Sequence, residues 1–414
     1  MIEYKRYTLS NGLRVLLHHD PSTSMAAVNV LYDVGSKDED PHLTGFAHLF
    51  EHLMFGGSIH VSSYDEPLQR IGAQNNAFTS TDITNYYITL PKDNLETALW
   101  LESDRMLSLA FTENSLEVQR KVVIEEFKQR YLNQPYGDVW LLLRPLVYQV
   151  HPYQWATIGK EISHIEQAEM SQVKAFFNKH YNPSNAILSI AGGIDMDQTI
   201  AWVEKWFGGI AAGEKYHRQL PEEPAQLAER QLTVYRDVPQ DAIYVAYRMP
   251  GKYTPEYYLA DLISDLLSRG NSSRFEQALR EPNSPFTSLE AYVTGEIEYG
   301  LFMIQAKLSE GTQPQDAMEA LYRMLNQVAE KECEERELQK LKNKLGFLYE
   351  YNRTSVLNKA MGLAQGELHQ TANLINEEFS RYEQISPSAM KAYAHQLFQA
   401  SNRSVLYYLK NKQS

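Results

Sequence analysis

The sequence predicts an α+β protein of two homologous domains, each a mainly antiparallel sheet with helices packed on one side of it. Three observations carry that reading. The first is size and composition: 414 residues, 43% hydrophobic and 22% charged, suffice for about two domains with cores of ordinary size. The second is the order of patterns, in which apolar and β-branched runs bounded by turn residues give way to stretches with an apolar stripe at helical spacing. The third is an internal repeat. Residues 27–37 lie over residues 242–252 at a constant offset of 215, without a gap, and both copies read as a strand, a turn and the start of a helix.

Taken along the chain, strands are expected at residues 13–18 and 26–34, where Leu, Val and Ala concentrate, and again at 85–90 and 186–191. Helices are expected at 95–107 and 115–131, and in the second half at 314–328 and 334–351. Around residues 211–230 the chain turns polar, with Gly213, Pro221 and Pro224, which is the composition of a linker. The expected domains are therefore 1–212 and 231–414, joined by a linker at 213–230.

Charge and cysteine usage narrow the function classes. Lys and Arg number 39 against 52 Asp and Glu, a formal net charge of −13 without any long basic run, so nucleic acid and anionic membranes are poor partners. The single cysteine, Cys333, excludes an internal disulfide and a cysteine-rich metal site. No apolar run approaches the ~20 residues that span a bilayer, and the stretch from Met1 to Arg6 lacks a signal peptide's apolar region. A cytosolic location is expected for the chain as it stands, and a periplasmic one if a presequence precedes it.

The most telling segment is His48-Leu49-Phe50-Glu51-His52, set in the otherwise apolar stretch from Phe46 to Phe55. Side chains four apart stand one above the other on a helix, so His48 and His52 can offer two imidazoles to one cation with Glu51 beside them. A core helix has no packing reason to bury two His and a Glu unless they are paired or coordinated. Two His leave a zinc site in need of a third protein donor, and Glu117, Glu125 and Glu126 are available downstream. Glu125 and Glu126 point ~100° apart on a helix, so only one of them can face the ion; composition alone does not choose. At the repeat offset, Ile263, Leu266 and Leu267 fall opposite His48, Glu51 and His52, so the second half keeps the scaffold and replaces the polar cluster with aliphatic core.

The order H-x-x-E-H is the inverse of the commoner H-E-x-x-H zinc motif. With it, Val122-Val123-Ile124-Glu125-Glu126-Phe127, the stretch from Ile71 to Tyr86 and the stretch from Ser272 to Glu281 all resemble segments of the M16 metallopeptidases, the family of pitrilysin, insulin-degrading enzyme and mitochondrial processing peptidase. The resemblance covers nearly the whole chain and is to the two-domain bacterial type. It implies two M16-type (LuxS/MPP-like) α/β domains, of which the first binds metal and the second does not. It implies one Zn2+ per chain held by His48, His52 and Glu126, which lies 74 residues beyond His52, with Glu51 activating water. It also implies that Asn76 and Ala77 contact a peptide bound as an added strand. Gln119 stands where the family usually carries a second Glu beside the metal, which leaves less negative charge there and can shift affinity or pH optimum.

The activity so implied is a zinc-dependent endopeptidase acting on short or unfolded peptides in a closed chamber. Its alternatives are a non-catalytic assembly subunit and a module that binds peptides without cleaving them. Chambers of the family need four such domains, so a homodimer, or a heterodimer with a metal-free homologue, is expected by analogy. In several two-domain relatives the partner's second half supplies an Arg and a Tyr; residues 287–306 contain Tyr292 and Tyr299 but no Arg.

Overall fold

A computed structural model describes residues 1–411. The first repeat runs β1 (Lys5–Thr8), β2 (Arg14–His19), β3 (Met25–Tyr32), α1 (Phe46–Leu53), α2 (Asp65–Arg70), β4 (Gln74–Thr79), β5 (Thr84–Pro91), α3 (Leu95–Leu107), α4 (Glu113–Phe127), α5 (Val139–Val147), α6 (Ile162–Glu166), α7 (Met170–His180), β6 (Ala186–Gly192) and α8 (Met196–Phe207). The second runs β7 (Arg230–Arg236), β8 (Ala242–Pro250), α9 (Pro255–Ser268), α10 (Arg274–Leu279), β9 (Phe286–Val293), β10 (Tyr299–Leu308), α11 (Pro314–Glu330), α12 (Glu335–Asn352), α13 (Val356–His369), α14 (Leu374–Glu383), α15 (Pro387–Leu397) and β11 (Arg403–Lys410). The helix expected at 115–131 is α4 followed by a single π-type turn, Lys128–Leu132.

Two mainly antiparallel sheets result. The first has the order β1-β2-β6-β3-β5-β4, with only β2 and β6 parallel; the second has the order β7-β11-β8-β10-β9, with only β7 and β11 parallel. Apart from β1 the orders are the same, and the 215-residue offset carries Thr84, the first residue of β5, onto Tyr299, the first of β10. The chain is a duplication, as the sequence repeat implies. Ile263, Leu266 and Leu267 are buried in the second core, where the first repeat carries its polar cluster.

Helices cover both faces of each sheet, which corrects the expectation of a single covered face. Successive strand residues point to opposite faces. On β3, Ala27 and Leu31 meet Ala360, Leu363 and Ala364 of α13, while Tyr32 turns the other way onto Tyr181. On β8, Ile243 and Val245 join the core with α9, α11 and α15, and Ala242 and Tyr244 pack with Leu143 and Val147 of α5. The helix on the second face therefore comes in each case from the other repeat. The compact units are accordingly interleaved: Met1–Lys128 with Trp155–Leu220 and Tyr349–Glu378, and Gln129–Gln154 with Pro221–Leu348 and the chain from Phe379 onward. A cut at residues 213–230 separates the repeats, not these units. Among the described residues, no helix is long and apolar enough to cross a membrane.

Beside the more exposed Arg6–Glu367 pair, a covered ion pair fastens α13 to the first sheet. Lys359 Nζ lies 2.5 Å from Asp20 Oδ2, with both side chains nearly nine-tenths covered, and Ser22 donates to the same carboxylate. These bonds hold the Asp20 carboxyl well below its ordinary value. The pair lines an open cleft and falls between the surface and buried limits, so we expect Lys359→Met to cost about 2 kcal/mol at neutral pH. A depressed carboxylate contributes stability above its unfolded pKa and loses it as the pH falls through the folded value. The wild-type advantage in urea unfolding should therefore shrink below about pH 4; a difference independent of pH would contradict this assignment.

Candidate metal centre

Helix α1 is short, and its setting is fixed by packing. Its N-cap, Gly45, is left-handed at φ 91°, and a Cβ there would lie 2.7 Å from the Ile158 carbonyl oxygen, so both conformation and space require glycine. Phe46, Ala47, Leu49, Phe50 and Leu53 face inward. Phe50 stacks on Phe176 and Tyr181 at ring distances of 5.3 and 5.0 Å, which ties α1 to α7. Tyr86 donates to the Phe50 carbonyl oxygen at 3.3 Å, and its own ring is backed by the buried Arg105 guanidinium 4.3 Å away. Arg105 is charge-paired with the equally buried Glu102.

With that face committed to the core, His48, Glu51 and His52 occupy the half-buried face. Helix α4 brings Glu126 to them. Its Oε2 lies 3.7 Å from His48 Nε2 and 3.3 Å from His52 Nε2, and the ligand atoms of the three residues all lie within 4.8 Å of one another. Tetrahedral zinc with arms of ~2.0–2.2 Å sets neighbouring donors roughly 3.3 Å apart, so the donor set fits that ion in chemistry and spacing. Among the described residues these are the three His, Cys, Asp or Glu side chains grouped closely enough to hold a metal.

The other acids go elsewhere. Glu125 is 60% exposed and pairs with Lys128, and Glu117 pairs with Arg120 and Lys121. Gln119 is half-buried on α4, two turns before Glu126 and on the same helix face. Burial pushes the Glu51 carboxyl above its ordinary value, Thr79 and the neighbouring His52 pull it down, and Glu126 adds to the rise. A base with a raised pKa is better matched to proton transfer near neutrality.

Asn76 and Ala77 lie on β4, which among the described residues pairs with β5 alone and so presents a free edge. Ser80 N–H donates to the Ile83 carbonyl, so the alternating ladder puts Ala77 at a position whose N–H points away from β5. The Asn76 Oδ1 accepts that N–H at 2.8 Å. The β4 edge ends at Thr79, next to helix α1, on which β4 packs.

One contributor was not visible in the sequence. Glu39 is buried in the turn before α1 and accepts hydrogen bonds from Gly45 N at 2.9 Å and Ala47 N at 2.8 Å. Burial raises its carboxyl above the ordinary value, while the two amides, each donating to a different oxygen, favour the charged form and pull it back down.

The family described as "Insulinase (Peptidase family M16)" matches residues 14–139, and "Peptidase M16 inactive domain" matches residues 168–345. The chain is 28% identical over 346 residues to the zinc protease PqqE of Helicobacter pylori, covering 82% of this chain and 78% of that protein. It is 29% identical over 303 residues to the uncharacterized zinc protease YmxG of Bacillus subtilis, 72% of each. A crystal structure of a protease from Helicobacter pylori superposes with a TM-score of 0.92 at 24% identity, over 99% of this chain and 100% of that one. Pitrilysin superposes with 0.77 at 18% identity, over 99% of this chain and 45% of its own. The likeness to these two structures is one of fold.

Proposed function

The chain belongs to the M16 family of metallopeptidases, and from that membership we propose that it is a zinc-dependent endopeptidase, with 1–212 as the repeat that carries the metal ligands and 231–414 as its metal-free counterpart. The observation that carries the proposal is the convergence of His48, His52 and Glu126 from two helices beside Glu51 and a free strand edge. When bound, zinc supplies Lewis acidity, lowering the pKa of a water ligand to ~7 and polarising a carbonyl.

The chain's own residues supply the rest. The β4 edge takes an unfolded peptide as one more strand, so main-chain bonds at Ala77, with the Asn76 side chain beside them, orient it without reading its sequence. Binding there displaces the Asn76 side chain from the Ala77 amide. Glu51 takes a proton from the attacking water and delivers it to the leaving amine.

Zinc analysis of the purified protein followed by cleavage of an unstructured peptide tests the reading. One zinc per chain and chelator-sensitive cleavage support it. Protein without zinc or cleavage would be an assembly subunit, and peptide binding without cleavage would make it a binding module.

The proposal includes a second chain. Tyr299 is backed by His151 at a ring distance of 5.2 Å, and Arg248 stands 5.8 Å from its ring. That guanidinium is bound to the Pro224 carbonyl and to Glu223 and is 13% exposed, so it is engaged in holding the linker. A cation for the peptide carbonyl would then come from a partner, where one such donor is worth about 3 kcal/mol. We expect the isolated chain to cleave slowly and to gain activity with a metal-free homologue or on self-association. Full turnover by a preparation that sediments as a monomer at assay concentration would refute this.

A further inference from the structure

We propose that Glu39 is a positioning residue that sets the rotation of the metal-facing helix. The inference rests on the zinc reading above. Helix α1 cannot cap its own start, because the N-cap is Gly45, which has no side chain. Glu39 does so from outside, spending one carboxylate oxygen on Gly45 N and the other on Ala47 N, the amide immediately before His48. A two-point attachment fixes rotation about the helix axis as well as position along it.

The turn that carries Glu39 is itself immobilised on several sides. Asp38 accepts from Gly35 N at 3.0 Å and from Arg218 Nε and Nη2 at 2.7 and 3.0 Å. The Trp155 indole donates to the Ser36 carbonyl at 2.9 Å. Lys37 pairs with Asp82 at 2.7 Å, both side chains almost fully buried. The backbone at Gly35 runs so close to Thr81 that a Cβ would lie 2.4 Å from its carbonyl oxygen.

Scale explains why this attachment matters to a metal. An imidazole nitrogen stands roughly 6 Å from the helix axis, so a rotation of about 10° moves it about 1 Å. Coordination distances tolerate only ~0.2 Å. The aromatic packing of Phe50 holds α1 against α7, but stacked rings slide more readily than a bidentate hydrogen-bonded carboxylate turns.

The test uses Glu39→Gln in the full chain, with wild type alongside. The amide can accept from only one of the two N–H groups and turns a donor toward the other. Zinc affinity is measured by chelator competition, coordination geometry by the visible spectrum of the cobalt(II)-loaded protein, and catalysis as separate kcat and KM. We expect zinc binding about 10-fold weaker or more, as for loss of an outer partner of a metal ligand, with an altered cobalt spectrum and a fall in kcat at unchanged KM. If this variant does not fold, Glu39→Asp replaces it; its shorter carboxylate reaches one amide and should give a smaller change in the same direction. Wild-type protein that binds neither zinc nor cobalt would overturn the zinc reading itself. Wild type that binds both, with Glu39→Gln matching it in affinity, spectrum and kcat, would overturn the role of Glu39 alone.

Discussion

Glu51→Gln should lower peptide hydrolysis by about 10²- to 10⁴-fold, the usual contribution of a general base, while one zinc per chain stays bound. The change removes the proposed proton acceptor and keeps the side chain's shape, and the three proposed metal donors all belong to other residues. Its environment argues for the role as well. The carboxyl is raised by burial and sits between the ligand face of α1 and the end of the β4 edge, where a peptide carbonyl would arrive. Metal analysis and a cleavage assay on the same preparation check both halves of the expectation. Loss of zinc from this variant would make Glu51 a ligand and the assignment wrong.

Glu126→Gln should weaken zinc binding by more than about 10²-fold, beyond the 10- to 100-fold typical of an outer-shell partner, whereas Glu125→Gln should leave it unchanged. The two acids are neighbours in sequence and opposites in setting. Glu126 is 17% exposed with an oxygen 3.3 Å from His52 Nε2, and Glu125 is 60% exposed on the solvent side with Lys128. Chelator competition on the two variants reads the difference directly. Equal effects, or a stronger effect at Glu125, would mean that α4 is rotated from the orientation described here.

How much of this could be read from the sequence depends on whether a contact follows from local periodicity. His48 and His52 were legible because their four-residue spacing places both on one helix face in any fold. Strands β2, β3, β5 and β6 and helices α3 and α4 were legible for the same reason, and the 215-residue offset anticipated the shared strand order of the two sheets. Choosing Glu126 over Glu125 already needed the family resemblance, since helical geometry says only that one of the two faces inward. The exchange of α5 and α13 was not legible, because an apolar stripe states that a helix is buried and not against which sheet. Glu39 was hidden for a related reason. It lies nine residues before His48, across a turn and a left-handed glycine, and no periodic relation connects them.

The central claim is that His48, His52 and Glu126 together hold one zinc ion. An anomalous difference map collected at the zinc absorption edge from crystals of zinc-replete protein tests it most directly. The account predicts a single strong peak about 2.0–2.2 Å from an imidazole nitrogen of each His and a carboxylate oxygen of Glu126. A peak elsewhere, or none in protein shown to carry zinc, would contradict it.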